Sequence, residues 1–188
     1  MTVRVAPAVI VSFWGEAGPD KWFDQDESFD EAIRLRFLLA YEVAANGKLA
    51  AWEEGIDGAL ALVLLLDQFP RNMFRGDARA FATDALARAV ADRALARGFD
   101  HATDLTLRPF FYLPFMHSEA LIDQDRSVRL YEALGETKEL RYATEHRDVV
   151  LRFGRFPHRN RALGRDTTPA EQAFLEADGF AGSRSHDL

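Results

Sequence analysis

The chain has no cysteine, only three lysines and no long uninterrupted apolar run. Without cysteine it can form no disulfide, use no thiol nucleophile and offer no thiolate ligand to zinc. Its longest apolar stretch, residues 59–66, is far shorter than the roughly 18 residues of a membrane-spanning helix. The net charge of −7 argues against general nucleic-acid binding. We therefore expect a cytoplasmic protein with no nucleic-acid partner and no membrane partner.

Arginine supplies almost all of the positive charge, with 20 Arg against 3 Lys. Seven of these arginines lie within residues 141–165, where only Glu145 and Asp148 oppose them. A guanidinium group matches the geometry of a carboxylate or a phosphate. A GC-rich genome would also raise the arginine content, so the overall composition has two explanations, while the local cluster favours anion binding.

Helix signals dominate the chain, and no run of alternating polar and apolar residues has the length of a strand. Ser28 and Glu31 form the pattern of a capping box, and Thr168, Pro169 and Glu171 form another. A second helix is expected to stop before Pro70, and a third to begin at Asp77. The segment at residues 3–11 has a β-like composition but no second strand to pair with.

These signals predict an all-α protein with about seven helices arranged as antiparallel pairs. At 188 residues the chain has the length of one domain, 1–188. Its first 12 residues and the tail 181–188 are expected to be peripheral.

Two similar segments suggest a functional site. Phe69-Pro70 is followed by Arg-Asn, and Phe156-Pro157 by His-Arg-Asn, each after an apolar run. We call the residues around them, 67–75 and 155–161, the first corner and the second corner. Their arginine and asparagine side chains would suit helix ends, which expose unpaired carbonyl groups. The density of hydrogen-bond donors also fits an anion-binding site shared by both corners.

Histidine supplies the candidates for proton transfer, because its ordinary pKa lies near neutral pH. His117 precedes or begins a helix, and Glu119 follows it closely. His146 lies on an apolar stripe, where a hydrogen bond to a buried carbonyl or to an acid such as Asp67 is the simpler interpretation. The spacing of the histidines matches no metal-binding pattern, and no phosphate loop or dinucleotide fingerprint occurs, so we expect neither a metal nor a cofactor.

The residues singled out therefore form two groups. For acid–base chemistry they are His117, Glu119 and His158, and for ligand binding they are Asp67, Arg71, Asn72, Gln124, His146, Arg155, Arg159 and Asn160.

The segments LDQFPRNMFRG, FFYLPFMHSEALIDQ, YATEHRDVVLRFGRFPHRNRALGR and TTPAE resemble the bacterial family catalogued as domain of unknown function 924. The likeness runs from about Phe13 to Phe180. One difference is that this chain has FWG near its start, where members usually have FWFG. The resemblance implies a tetratricopeptide-like helical fold and no particular activity.

Two functions from different classes remain open at this point. One is a helical pocket for a small carboxylate or phosphate, with a histidine that transfers protons. The other is a tetratricopeptide-like interaction module that binds an acidic peptide or partner in a groove. The candidate residues flank apolar runs, which favours the pocket. The sequence does not indicate whether the protein is an enzyme.

Overall fold

The computed structural model describes residues 5–22, 24–135 and 138–177, and all regular secondary structure in these ranges is helical. The all-α prediction is therefore confirmed for this part of the chain. None of the helices in these ranges combines the length and the apolar character that are needed to cross a bilayer.

Ten α-helical segments follow one another along the described chain. They are α1 (Pro7–Ala17), α2 (Pro19–Trp22), α3 (Glu27–Ala45), α4 (Ile56–Val63), α5 (Phe69–Met73), α6 (Asp84–Ala96), α7 (Leu113–Met116), α8 (Leu121–Glu132), α9 (Lys138–Phe153) and α10 (Pro169–Glu176). Short 3-10 turns occupy Ala50–Glu54, Ala78–Ala80, Arg108–Phe111 and Pro157–Arg159.

A π turn at Leu64–Gln68 joins α4 and α5 into one continuous helix. Counted in this way, the described residues form nine helices rather than about seven. Two of the nine, α2 and α7, have only four residues each. The tetratricopeptide-like arrangement stays a prediction.

Two expected helix starts are wrong, and one helix begins where none was predicted. In the segment of β-like composition, residues 7–11 belong to α1, which begins at Pro7, a residue that suits the first helical turn. The cap of α3 is Asp26 rather than Ser28, because the Asp26 carboxylate accepts the main-chain N–H groups of Ser28 and Phe29. The helix expected from Asp77 begins only at Asp84. The capping box at Thr168 is confirmed, with Glu171 as its second member.

The chain divides into two compact units, which are described separately below. The first comprises Met1–Arg75 and Arg79–Pro114, and the second comprises Gly76–Ala78 and Phe115–Leu188. The single-domain expectation stays a prediction, because two compact units can belong to one domain.

An aromatic cluster forms the core of the first unit. The Trp14 ring lies 5.6 Å from the Phe69 ring and 5.6 Å from the Phe110 ring, and it stacks on Trp22 at 6.1 Å. The indole N–H of Trp22 donates to the main-chain oxygen of Trp14 at 2.6 Å. Helix α1 packs on α4, α3 on α5, and α4 on α6, so the cluster joins α1 to the helices that carry the first corner.

The second unit is built on a helical hairpin. Helices α8 and α9 pack along each other, and the short link between Glu132 and Lys138 makes them antiparallel. A small apolar cluster of Val149, Val150 and Phe156 lies at the end of α9, and Phe153 and Phe174 pack against it. Polar side chains such as those of Gln124, Ser127 and His146 are also buried in this unit.

One close backbone contact in the first unit requires glycine. A Cβ atom built on Gly58, in α4, would lie 1.9 Å from the main-chain oxygen of Trp52. The contact joins two main-chain segments, so no side-chain rotation relieves it. The 3-10 turn at Ala50–Glu54 can therefore lie against α4 only because position 58 has no side chain.

We expect Gly58→Ala to lower the free energy of unfolding by about 1–3 kcal/mol, the usual range for overpacking. Gly15→Ala is the matched control, because Gly15 is also inside a helix but the nearest atom to its built Cβ is a Leu107 methyl at 3.9 Å. That change should stabilise the protein by about 0.5–1 kcal/mol. Urea unfolding of both variants measures the difference, and equal effects would contradict the steric argument.

Candidate functional site

The first corner is a network of buried ion pairs. Arg71 is 4 % exposed, and its two terminal nitrogens donate to the two oxygens of Asp84 at 3.1 and 3.2 Å. A carboxylate oxygen of the fully buried Asp67 lies 3.4 Å from one of the same guanidinium nitrogens. Asn72 and Arg75 both donate to Asp30, at 2.8 and 2.5 Å. The corner therefore connects α5 to α3 and α6 within the first unit.

The π turn explains how Pro70 lies inside a continuous helix instead of ending it. Phe69 donates to the carbonyl of Leu64, five residues back, in the π pattern. Pro70 has no N–H, so the Leu66 carbonyl lacks the main-chain donor that a helix would supply. The Thr83 hydroxyl donates to that carbonyl at 2.6 Å. A side chain from the start of α6 thus replaces the missing main-chain bond.

We expect Thr83→Val to cost about 1–3 kcal/mol of stability, because it leaves the buried Leu66 carbonyl without this donor. Thr144→Val is the matched control. The Thr144 hydroxyl also donates to a carbonyl, that of Leu140 at 2.9 Å, but Leu140 lies inside α9 and has the ordinary helical donor. Thermal unfolding should show a clear loss for Thr83→Val and little change for Thr144→Val; similar losses would refute the role of Pro70.

Next to the second corner, the carboxylate of Glu119 accepts three hydrogen bonds. Arg165 donates to both carboxylate oxygens at 2.7 and 3.0 Å, and the main-chain N–H of Phe156 donates to one of them at 2.8 Å. Burial alone would raise the pKa of Glu119, but these bonds and the charge of Arg159 outweigh it and lower that pKa. Glu119 is therefore a carboxylate at neutral pH.

A second ion pair fixes the loop that follows. Arg155 donates to both oxygens of Glu171 at 2.6 and 2.9 Å and to the main-chain oxygen of Asp166 at 2.7 Å. The hydrogen bond from Arg155 holds the pKa of Glu171 at about 2, against the opposing effect of burial. Asn160 accepts a hydrogen bond from Arg165 at 3.0 Å. Arg155 and Asn160, both residues of the second corner, therefore help to fix the structure of this loop.

The acid sensitivity of the protein should depend in part on Glu171. Its folded pKa of about 2 is below the ordinary value of 4.5, so its ion pair stabilises the fold above pH 4.5 and loses that effect as the pH falls toward 2. The neutral variant Glu171→Gln should therefore be less stable than the wild type at pH 7 and approach it near pH 2. Urea unfolding across this pH range measures the difference; parallel curves would contradict the prediction.

Much of the positive charge at residues 141–165 is paired with carboxylates. Arg141 lies 3.6 Å from Glu145 and Arg147 lies 2.8 Å from Asp148. Two further pairs, those of Arg155 and Arg165 described above, reach acids outside the window. The arginine-rich window is therefore not an open basic surface, and its anion-binding interpretation depends on particular side chains.

Arg159 is one such side chain, and it lies in a buried polar cluster within the second unit. It is 3 % exposed, and one terminal nitrogen donates to the main-chain oxygen of His117 at 2.9 Å. The side-chain nitrogen of Gln124 lies 2.6 and 2.5 Å from the main-chain oxygens of Met116 and Ser118. Arg159 and Gln124 therefore hold the same short turn before α8. Because α8 begins only at Leu121, His117 lies outside the helix.

The ring of Phe156 brings three more of the predicted residues together. The rings of His146 and His158 lie 5.5 and 5.6 Å from it, and the Arg159 guanidinium lies over it at 4.5 Å. His146 is fully buried, and its Nδ1 donates to the Tyr142 carbonyl at 2.7 Å. The expected burial of His146 and its bond to a carbonyl are confirmed.

Five of the predicted residues therefore lie in the second unit, at the turn before α8 or at the ring of Phe156. They are His117, Gln124, His146, His158 and Arg159. Ser127 joins them on α8, fully buried, although it is not among the residues predicted from the sequence. Its spacing of three residues from Gln124, which places both on one helix face, is the signal that would have found it. That the two corners share one site stays a prediction.

In the part of the chain that the structure describes, these residues form no metal site, and they line neither of two clefts of the first unit. Among the described residues, no three acidic or histidine side chains come together as metal ligands. Two clefts of the first unit, of about 420 and 260 Å³, share the ion pair of Glu53 and Arg93 and are otherwise mostly lined by apolar side chains. None of the residues predicted from the sequence lines either of them.

Comparison with known proteins identifies relatives but no activity. A family model described as "Bacterial protein of unknown function (DUF924)" matches residues 10–179. A solved structure of a protein of unknown function from Agrobacterium tumefaciens is 54 % identical, covers 91 % of this chain and 97 % of its own, and superposes with a TM-score of 0.88. No curated protein matches the sequence.

Proposed function

This chain belongs to the bacterial DUF924 family of unknown function, and we propose that it binds a small anionic molecule through the buried polar side chains of its second unit. The ligand would carry a carboxylate or a phosphate group. The observation behind the proposal is that Arg159, His117 and His146 are each no more than 3 % exposed and lie near one turn and one aromatic ring.

Burial of this set is expensive for a protein that needs only a stable fold. A charged group loses its hydration when it is buried, and the loss is recovered only through well-placed partners. Clusters of buried titratable groups are more common at functional sites than elsewhere.

Charged side chains surround the turn. Glu119 pairs with Arg165, and Glu171 pairs with Arg155. The guanidinium of Arg159 lies close enough to Glu119 for its charge to lower the pKa of that carboxyl group. A planar guanidinium in a desolvated setting is well suited to hold a carboxylate or a phosphate.

In this proposal the predicted residues have different tasks. Arg159 binds the anionic group, and the neighbouring histidines provide a residue type that can exchange a proton with a bound ligand. Glu119, Arg155 and Asn160 hold the loop that carries Arg159. Asp67, Arg71 and Asn72 hold the helices of the first unit together. The buried position of the cluster favours a small molecule over an acidic peptide, which requires an exposed groove.

The proposal predicts that Arg159→Gln weakens anion binding about 10- to 100-fold, the effect of losing a buried charged hydrogen bond. Arg161→Gln is the matched control, because Arg161 is two residues away in the same corner but exposed. Thermal-shift assays at fixed ionic strength with phosphate, acetate, lactate and glycerol phosphate select a binder, and calorimetry then gives its affinity for each variant.

Arg159→Lys keeps the charge but not the planar fork, so it should bind more weakly than the wild type and more tightly than Arg159→Gln. Circular dichroism without ligand shows whether each variant is folded. Equal weakening by Arg159→Gln and Arg161→Gln would mean that only the overall charge matters. No shift of the wild type by any anion would refute the proposed function.

A further inference from the structure

The orientation of the Gln124 side chain is determined by its surroundings. Its amide nitrogen lies within hydrogen-bond distance of the Met116 and Ser118 main-chain oxygens, at 2.6 and 2.5 Å. Carbonyl oxygens only accept hydrogen bonds, so the NH₂ group and not the amide oxygen must face them. The Gln124 Oε1 atom is thereby directed away from the turn.

Two buried oxygens on the same face of α8 have no hydrogen-bond partner among the described residues. One is Oε1 of Gln124, and the other is Oγ of Ser127, three residues further along the helix. Both residues are 0 % exposed. A buried polar atom without a partner lowers stability, and such atoms are few in native proteins. A bound molecule that hydrogen-bonds to them would explain why both are present.

We infer, building on the proposed function, that the ligand carries a hydroxyl or amino group beside its anionic group, and that this group hydrogen-bonds to Gln124 and Ser127. The Gln124 oxygen can only accept, so its partner must be an O–H or an N–H donor. A ligand hydroxyl can donate to that oxygen and at the same time accept a bond from the Ser127 hydroxyl. The ligand class is therefore a small hydroxy or amino acid or its phosphate counterpart.

Arg159 and Gln124 contact the same short turn. The first donates to the His117 carbonyl, and the second to the carbonyls on either side of it in the chain. Neighbouring residues are about 3.8 Å apart at their Cα atoms, so the carbonyls that receive these bonds lie within the span of a small molecule. A ligand with its anionic group and its donor on adjacent atoms would reach both side chains.

Ser118 provides a matched comparison with Ser127. It is also buried, but its hydroxyl donates to Asp123 at 2.6 Å and accepts from the Ala120 N–H at 3.2 Å. Without ligand, Ser127→Ala should raise the thermal midpoint by about 2–4 °C, because it removes a buried hydroxyl without a partner. Ser118→Ala should lower the midpoint. A lower midpoint for Ser127→Ala would show that its hydroxyl already has a partner, which would overturn the inference.

The ligand class is tested with pairs of compounds that differ only in the donor group. Glycolate and acetate, lactate and propionate, and 2-hydroxyethyl phosphate and ethyl phosphate are titrated into the wild type and Ser127→Ala by calorimetry. In the wild type, the hydroxylated member of each pair should bind about tenfold more tightly, the effect of one well-made hydrogen bond. In Ser127→Ala this ratio should fall clearly, because one of the two hydrogen bonds to the ligand hydroxyl is lost. Gln124→Met, if folded by circular dichroism, should behave in the same way.

The outcomes separate the two proposals. If no compound binds the wild type, the proposed function itself fails. If the compounds bind, and Arg159→Gln weakens them, but both members of each pair bind equally, the anion site stands and the inference about the donor group is wrong. A ratio near ten that is unchanged in Ser127→Ala would also overturn it, because the donor would then be recognised elsewhere.

Discussion

Within each unit, buried main-chain carbonyl groups that lack a main-chain donor determine which side-chain hydrogen bonds hold the structure together. In the first unit, the Leu66 carbonyl loses its donor to Pro70, and Thr83 replaces it. In the second unit, the irregular turn before α8 presents several carbonyls in succession, and Arg159 and Gln124 donate to them. The bonds from Thr83 and Arg159 fix long-range contacts, since a buried carbonyl cannot be left unpaired without loss of stability.

The two corners place buried arginines in related environments. Arg71 and Arg159 are both nearly fully buried, each donates to a main-chain oxygen, and each lies over an aromatic ring. The surrounding elements differ. Helix α6 brings the Asp84 carboxylate to Arg71, and an irregular turn presents the His117 carbonyl to Arg159.

The sequence predicts the helical class, the ends of α9 and the start of α10, because these depend on local signals such as Gly154 and the Thr168 capping box. Prediction from the sequence fails where a hydrogen bond to a residue far along the chain determines the local structure. Continuation of a helix through Pro70 depends on the hydroxyl of Thr83, 13 residues later. Five candidate site residues are found near each other, but Ser127 is missed because a small polar residue inside a helix gives little local signal.

The tryptophan residues are unevenly distributed, so the two units differ in their intrinsic fluorescence. All three tryptophans, at positions 14, 22 and 52, belong to the first unit, and two of them are stacked in its core. The second unit has tyrosines at 131 and 142 but no tryptophan. Tryptophan fluorescence thus reports on the first unit, whereas far-ultraviolet circular dichroism reports on the helices of both. Any gap between the two transitions would reveal how tightly the stabilities of the units are coupled.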